Sequence, residues 1–133
     1  MPVVSQFDSN VVTTVNLIQA SESLLERNSH IVNISSMGGY QGSSKFKGLS
    51  AYSSTKGAIS ILSECLSEEF SSRGIKVNAL ALGAVQTAML SKAFPGYEAP
   101  LTAIEMAGFI TDFALNSSSF INGKVIPVSI NNP

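Results

Sequence analysis

The chain has 133 residues, of which 44% are hydrophobic and only 13% are charged, and its net charge is −1. This length predicts a single domain over residues 1–133 with one modest core, and the eight scattered basic residues exclude the clustered positive charge that nucleic acids and anionic membranes require. No apolar run approaches the roughly 18 residues of a membrane-spanning helix, and the first ten residues lack the charged and apolar regions of a signal peptide, which favours the cytoplasm.

The first predicted element is a helix from about residue 5 to residue 27. Ser5 and Asp8 have the spacing of a capping box, in which two side chains satisfy the backbone N–H groups at a helix start. Apolar residues then recur at helical spacing as far as Leu25. A β-branched run, HIVNIS at 30–35, follows and predicts a short buried strand.

A second long helix is predicted over about residues 51–72. It follows a loop rich in glycine and serine, MGGYQGSSKFKGL, and Ser50 is positioned to cap its first turn. Gly74 provides the stop signal, because glycine readily adopts the left-handed conformation that ends helices. Cys65, the only cysteine, lies among apolar residues of this helix, so we expect a core residue rather than a reactive thiol.

The second half of the chain predicts a strand, a helix and a final strand. IKVNALAL at 75–82 is a continuous apolar run, typical of a buried strand. After a loop with two prolines, Thr102 and Glu105 form a second capping-box pattern for a helix that ends near Leu115. The last strand is GKVIPVSI, and Pro127 indicates an edge position or the end of the strand's pairing, because proline cannot donate a backbone hydrogen bond.

Helices and strands therefore alternate three times along the chain. Continuous apolar strands that alternate with helices predict an α/β fold with a parallel sheet and helices on its faces. In such sheets, ligands bind at the carboxyl ends of the strands.

One candidate site combines a tyrosine and a lysine. Tyr52 and Lys56 are four residues apart on the second predicted helix, so they share one helical face. A nearby ammonium favours the phenolate, which would let Tyr52 exchange protons with a substrate near neutral pH. The alternative, commoner for this spacing alone, is that Tyr52 packs against the core and Lys56 is solvated.

The surrounding layout favours a site. Ser36 ends the first strand, and Gly38 and Gly39 allow a tight turn before the chain returns to Tyr52. A hydroxyl and a phenol would then face one crevice. Ser35 is the competing serine, but alternation along the strand favours Ser36.

Four segments together resemble the short-chain dehydrogenase/reductase family, NAD(P)-dependent enzymes of doubly wound fold. IVNISSMGG followed by AYSSTKGA is similar to the family's catalytic segment. FDSNVVTTVNL resembles its helix with an active-site asparagine, and IKVNALALGAVQTAML resembles its strand and loop beside the nicotinamide. The fold class expected from this resemblance is a partial doubly wound, Rossmann-like parallel sheet in which three strands alternate with three helices.

The resemblance implies hydride transfer between NAD or NADP and a small carbonyl or alcohol substrate. Tyr52 would donate a proton to the developing alkoxide, and Ser36 would donate a hydrogen bond to the same oxygen. Tyr52 and Lys56 would both contact the cofactor, Lys56 through the ribose. Asn10 would hold a water that connects Lys56 to solvent, unless its side chain only bonds to the backbone.

The resemblance also assigns cofactor contacts to the loop after the second strand. Gly83 and Val85 would lie by the nicotinamide ring, and Thr87 would reach the carboxamide or the phosphates. The alternatives are that Gly83 is a plain turn residue and Thr87 a helix cap. Leu82 departs from the family pattern, which usually has proline there.

The resemblance covers about the C-terminal half of a family member. The sequence does not contain the Gly-rich loop with which the family holds the cofactor pyrophosphate at a helix N-terminus. We therefore expect a truncated chain that binds the cofactor weakly and has little activity alone. The alternative is a non-catalytic interaction or dimerisation module that reuses the half-fold.

The expected partners are a small-molecule substrate and a second copy of the chain, with no nucleic acid and no membrane. The low charged fraction indicates that some apolar surface meets another chain or a missing segment. Family members commonly associate through two long helices, here about 5–27 and 51–72, so we expect a homo-oligomer. His30 lacks cysteine or acidic residues at ligand spacing, so no metal site is expected.

Overall fold

A computed structural model describes residues 2–131 as an α/β fold. The helices are α1 (Val3–Phe7), α2 (Thr13–Ser21), α3 (Ser50–Glu69), α4 (Ala88–Ala93) and α5 (Ala103–Asn116). The strands are β1 (His30–Ser36), β2 (Lys76–Leu82), β3 (Val85–Gln86), β4 (Leu101–Thr102) and β5 (Val125–Val128). A π-helical segment, Asp8–Val12, joins α1 to α2, and short 3-10 turns follow α2, β1 and α3. Within residues 2–131, no helix is both long and apolar enough to cross a membrane.

Three strands form a parallel sheet in the order β1-β2-β5. β1 pairs with β2 over its whole length, so Ser36 lies across from Leu82 where both strands end. β5 pairs with the other side of β2 and forms an edge of the sheet, as Pro127 predicted. The predicted fold class, with its parallel sheet of three strands, is confirmed.

Helices cover both faces of β1. Successive side chains of a strand point to opposite faces of the sheet. Asn33 donates a hydrogen bond to Ser63 of α3 at 2.9 Å, whereas the His30 ring centroid lies 5.6 Å from that of Phe113 on α5. α3 therefore packs on one face and α5 on the other, which is the doubly wound arrangement.

The core is centred on β2, whose residues 77–81 are all 0% exposed. Ile75 and Val77 pack with Ile18 of α2 and with Phe70, which follows α3. Burial of one large aliphatic or aromatic side chain contributes roughly 1.5–3 kcal/mol. This cluster therefore holds α2 and the end of α3 against the sheet.

The start of the first helix differs from the prediction. It begins at Val3, with Pro2 at the N-cap position. Gln6 N donates to Pro2 O at 3.2 Å, so the helical hydrogen bonding has started before Ser5. Ser5 and Asp8 consequently lie inside helical turns, and the predicted capping box between them is wrong.

Of the other predicted helix caps and stop signals, two are confirmed and one is wrong. Ser50 is the first residue of α3 rather than its cap, and no side chain caps that helix. Gly74 has a φ of 70° and ends the 3-10 turn after α3, as predicted. The capping box of Thr102 and Glu105 is present at the start of α5.

The predicted core position of Cys65 is wrong, since the thiol is exposed. The buried positions on α3 next to it, Ser63 and Ser67, are two residues away on either side, so Cys65 falls on the outer face. The segment between β2 and α5 also contains more structure than the predicted loop. It holds α4 and a short parallel pair in which Val85 is in register with Leu101.

A buried asparagine links three elements around the sheet. The Asn78 side chain is 0% exposed; its amide donates to His30 Nε2 at 2.9 Å and to Ile121 O at 3.0 Å, and its oxygen accepts from Lys124 N at 3.0 Å. His30 Nδ1 lies 2.9 Å from the Ala114 carbonyl, so this nitrogen carries the proton and Nε2 accepts. Asn78, on β2, thereby connects β1 to the segment 121–124 that precedes β5.

Replacing Asn78 with alanine should therefore lower the free energy of unfolding by about 3 kcal/mol, because several buried polar groups lose their partner at once. Urea denaturation followed by circular dichroism measures this loss. Asn16→Ala, on the exposed side of α2, is the matched control and should stay within about 0.5 kcal/mol of the parent. Equal stability of the two variants would contradict the role of Asn78.

Candidate active site

β1 ends in a tight turn that begins with a hydrogen bond to Ser36. Ser36 Oγ accepts from Gly38 N at 3.1 Å and starts the 3-10 turn Met37–Gly39. The backbone amide uses Ser36 as an acceptor, so the hydroxyl proton is available to a ligand. Ser36 is thus arranged as a hydrogen-bond donor at the carboxyl end of β1.

Ser36 and Tyr52 approach one another across Gly38. A methyl group on Gly38 would lie 3.5 Å from Ser36 Oγ and 3.9 Å from Cε1 of Tyr52. The serine hydroxyl and the edge of the phenol ring therefore border the same small space. The structure brings together the two residues that the sequence analysis expected to share a crevice.

Lys56 lies beside Tyr52 rather than in open solvent on the far side of the helix. Its Nζ is 5.9 Å from the centroid of the Tyr52 ring, a distance at which a cation is attracted to the ring face. Nζ also donates to the Ile34 carbonyl of β1 at 3.1 Å. Burial lowers the pKa of Lys56 below its ordinary value of 10.5, because it disfavours the charged form.

Asn10 lies next to this pair but does not bond to it directly. It is in the π-helical segment Asp8–Val12, and its amide donates to Thr55 Oγ1 at 3.0 Å. Thr55 in turn donates to the Tyr52 carbonyl at 2.7 Å. π-helical segments are rare and often occur at functional sites, and this one holds Asn10 against the helix turn that contains Tyr52 and Lys56.

The structure places Gly83, Val85 and Thr87 in the connection after β2. Gly83 N donates to Val128 O at 2.8 Å, and a Cβ on Gly83 would lie only 2.4 Å from Ser129 Oγ. Val85 belongs to β3, and Thr87 caps α4 by accepting from Leu90 N at 3.2 Å. Each residue has a structural role here. Their predicted contacts with a cofactor stay predictions.

Two contributors to the site were not predicted from the sequence. Thr55 is fully buried and links Asn10 to α3, and the Ile34 carbonyl holds Lys56 Nζ. The position of Thr55, three residues after Tyr52 on the same helical face, is the only sequence signal for its role. A backbone carbonyl leaves no signal in the sequence.

Comparison with protein families gives a match to the short chain dehydrogenases over residues 3–98. The uncharacterized oxidoreductase YhxC of Bacillus subtilis is 30% identical over 134 residues, covering 92% of this chain and 46% of that protein. An uncharacterized oxidoreductase of Schizosaccharomyces pombe is 29% identical over 130 residues, covering 90% and 44%. The chain spans about half the length of the curated relatives it matches.

Solved structures are also similar to most of this chain, over about half of their own length. A short chain dehydrogenase from Salmonella enterica is 27% identical, with a TM-score of 0.77, over 89% of this chain and 49% of that one. A 3-oxoacyl-(acyl-carrier protein) reductase from Brucella melitensis with bound NAD is 28% identical, with a TM-score of 0.75, over 96% and 52%. A short chain dehydrogenase from Burkholderia cenocepacia in complex with NADP, 20% identical, has a TM-score of 0.80 over 96% and 55%, which shows the shared fold.

Burial of Lys56 makes its titration a test of this geometry. The Lys56 ammonium should lose its proton at a lower pH in the folded chain than in the same chain unfolded in urea, because folding disfavours its charged form. Between the two titration midpoints, the unfolded chain keeps this proton and the folded chain has lost it. The free energy of unfolding should therefore increase as the pH rises through this range.

Carbon-13 NMR of reductively methylated lysines, assigned with a Lys56→Arg variant, measures both midpoints. Equal midpoints in the folded and unfolded chains would contradict the position of Lys56 described above.

Proposed function

Because the chain belongs to the short-chain dehydrogenase family, we propose that Ser36, Tyr52 and Lys56 form the proton-transfer site of an NAD(P)-dependent oxidoreductase. Its substrate class is a small molecule with a carbonyl or an alcohol group. The observation that carries this proposal is the convergence of the Ser36 hydroxyl and the Tyr52 ring at Gly38, with the Lys56 ammonium beside the same ring.

Tyr52 is the proposed general acid and base. In reduction it gives its phenolic proton to the oxygen of the carbonyl group, and in oxidation it takes the proton back. Ser36 donates its hydroxyl proton in a hydrogen bond to the same oxygen, since its acceptor side is already used by Gly38 N. A donor that is fixed in advance stabilises the negative charge that develops on that oxygen.

Lys56 has two proposed roles. Its positive charge lies 5.9 Å from the centroid of the Tyr52 ring, where it would offset the negative charge that develops on Tyr52 as its proton is transferred. The Ile34 carbonyl accepts one of the three N–H groups of Nζ, and Nζ bonds to no other acceptor within residues 2–131. The other two donors would hold the hydroxyls of a cofactor ribose.

The cofactor, when bound, supplies or accepts the hydride. Among this chain's residues, Lys56 would hold the ribose, and Gly83, Val85 and Thr87 would line the nicotinamide end. The register of β1 with β2 supports this assignment, because both strands end at the same level and the loop after Leu82 therefore starts next to Ser36. Asn10, in the π-helical segment, would hold a water that connects Lys56 to solvent.

The chain also exposes apolar residues on its two long helices, for which we propose a homo-oligomer. Leu17 on α2 is 65% exposed, and Ile61 on α3 is 59% exposed. Cys65 lies on the same outer side of α3, one helical turn beyond Ile61. Association of two copies through these helices would remove this apolar surface from water.

Tyr52→Phe should lower carbonyl reduction by at least about 100-fold, because it removes the proton donor and keeps the ring. The assay follows the absorbance of NADH or NADPH with a panel of aliphatic and aromatic ketones, at millimolar cofactor and high protein concentration because the chain is expected to bind the cofactor weakly and to have little activity. Fluorescence titration of the reduced cofactor should give nearly the same affinity for this variant as for the parent. Lys56→Ala, by contrast, should weaken cofactor binding as well as turnover.

Tyr40→Phe is the matched control, since Tyr40 lies in the loop between β1 and α3 and has no assigned part in proton transfer. It should keep the parent rate. If Tyr52→Phe retained more than a few per cent of that rate, Tyr52 would not be the proton donor.

Ile61→Glu should shift the assembly towards the monomer, because the buried carboxylate would be costly at an apolar interface. Size-exclusion chromatography with light scattering measures the change. Ile104→Glu on α5, which is 84% exposed and lies outside the proposed interface, is the matched control and should leave the mass unchanged. A monomeric parent chain would contradict the proposal.

A further inference from the structure

At Gly39, the turn after β1 lies so close to α3 that there is no space for a side chain. A Cβ on Gly39 would lie 2.4 Å from Gly57 N, 2.5 Å from the Lys56 carbonyl carbon and 2.7 Å from Lys56 Cβ. Two of these three atoms belong to the helix backbone and cannot rotate away. Carbon contacts are ordinarily about 3.5–4.0 Å, so any residue with a Cβ at this position would push the turn and the helix apart.

The requirement at Gly39 is spatial rather than conformational. Neither Gly38 nor Gly39 is among the glycines with positive φ, so the turn itself could accommodate alanine at both positions. A Cβ on Gly38 would meet Ser53 Oγ at 3.1 Å, and this hydroxyl can rotate away. A Cβ on Gly57, on the helix side of the contact, would meet Gly39 O at an ordinary 3.5 Å.

The contact lies between the residues of the proposed proton-transfer site. Gly39 follows Ser36 by three residues, and the helix atoms it touches belong to Lys56 and its neighbour. Ser35 Oγ, on β1, donates to the Lys56 carbonyl at 2.8 Å, so a hydrogen bond also connects this turn of α3 to the strand. Gly39 thus sets the separation between the turn that carries Ser36 and the helical face that carries Tyr52 and Lys56.

We propose that Gly39 is a positioning residue for the proton-transfer site. The absence of its side chain lets Ser36 reach the Tyr52 ring. This inference rests on the proposed function only for its catalytic consequence, since the spacing is a property of the fold. A Cβ at position 39 would displace the turn by roughly 1 Å, and a displacement of that size is enough to reduce turnover about 100-fold.

The test compares Gly39→Ala with Gly57→Ala, which changes the other partner of the same contact. Both are made in a Gly108→Ala background. Gly108 lies within α5 with nothing near its Cβ position, and alanine is the stronger helix former, so this background gains stability. Circular dichroism verifies that each variant is folded.

The first readout is the nuclear Overhauser effect between a Gly38 Hα and the Tyr52 ring protons. We expect it in the background protein and in Gly57→Ala, and we expect its loss in Gly39→Ala. The second readout is the kinetics of ketone reduction. Gly39→Ala should lower kcat about 100-fold and leave KM nearly unchanged, because it alters the alignment of the reacting groups rather than substrate binding.

The outcomes separate this inference from the proposed function. A Gly39→Ala variant that keeps the Gly38–Tyr52 signal overturns the positioning role, and so does one that is unfolded in the stabilised background. A background protein that reduces no ketone even at millimolar cofactor and high protein concentration overturns the proposed function, while the nuclear Overhauser readout still decides the role of Gly39.

Discussion

The close packing of α3 onto β1 is the constraint on which the candidate site depends. Asn33 bonds to Ser63 and Ser35 bonds to the Lys56 carbonyl, at 2.9 and 2.8 Å. Short side chains make both links, so they fix the height of the helix above the strand and also its rotation. One residue of rotation amounts to about 100° and would carry Tyr52 away from Ser36. The strand thus sets the direction in which the helix face with Tyr52 and Lys56 points.

The elements that could be predicted are those whose signals are local. The capping box of α5 joins Thr102 and Glu105, three residues apart, and both the apolar run of β2 and the edge position of Pro127 follow from side-chain type alone. Helical spacing was sufficient to place Tyr52 and Lys56 together. Alternation along β1, combined with the family resemblance, favoured Ser36 over Ser35. The Ser35 hydroxyl bonds to Ser60 of α3, and the catalytic role of Ser36 stays a prediction.

The features that could not be predicted depend on contacts between residues far apart in the chain. Asn10 meets Thr55 across 45 positions, and the contact of Gly39 with Gly57 exists only once the turn lies on the helix. Cys65 was misplaced for a different reason. Ser63 Oγ donates to Ile59 O and Ser67 Oγ donates to Glu64 O. Because their hydroxyls bond to the backbone of their own helix, these serines can be buried. Hydropathy alone predicts cysteine rather than serine on the buried face.

Lys56 connects the chemistry of the site to the edge of the sheet. Ser29 O accepts from Lys76 N, and the alternation of a parallel ladder then directs the backbone groups of odd-numbered β1 residues towards β2. The Ile34 carbonyl consequently faces the outer edge of β1, where it accepts from Lys56 Nζ. Burial of a cation is costly unless it has partners, and this carbonyl and the Tyr52 ring provide them. The charge beside Tyr52 therefore depends on the conformation of the β1 edge, and any strand that pairs there must share the Ile34 carbonyl with Lys56.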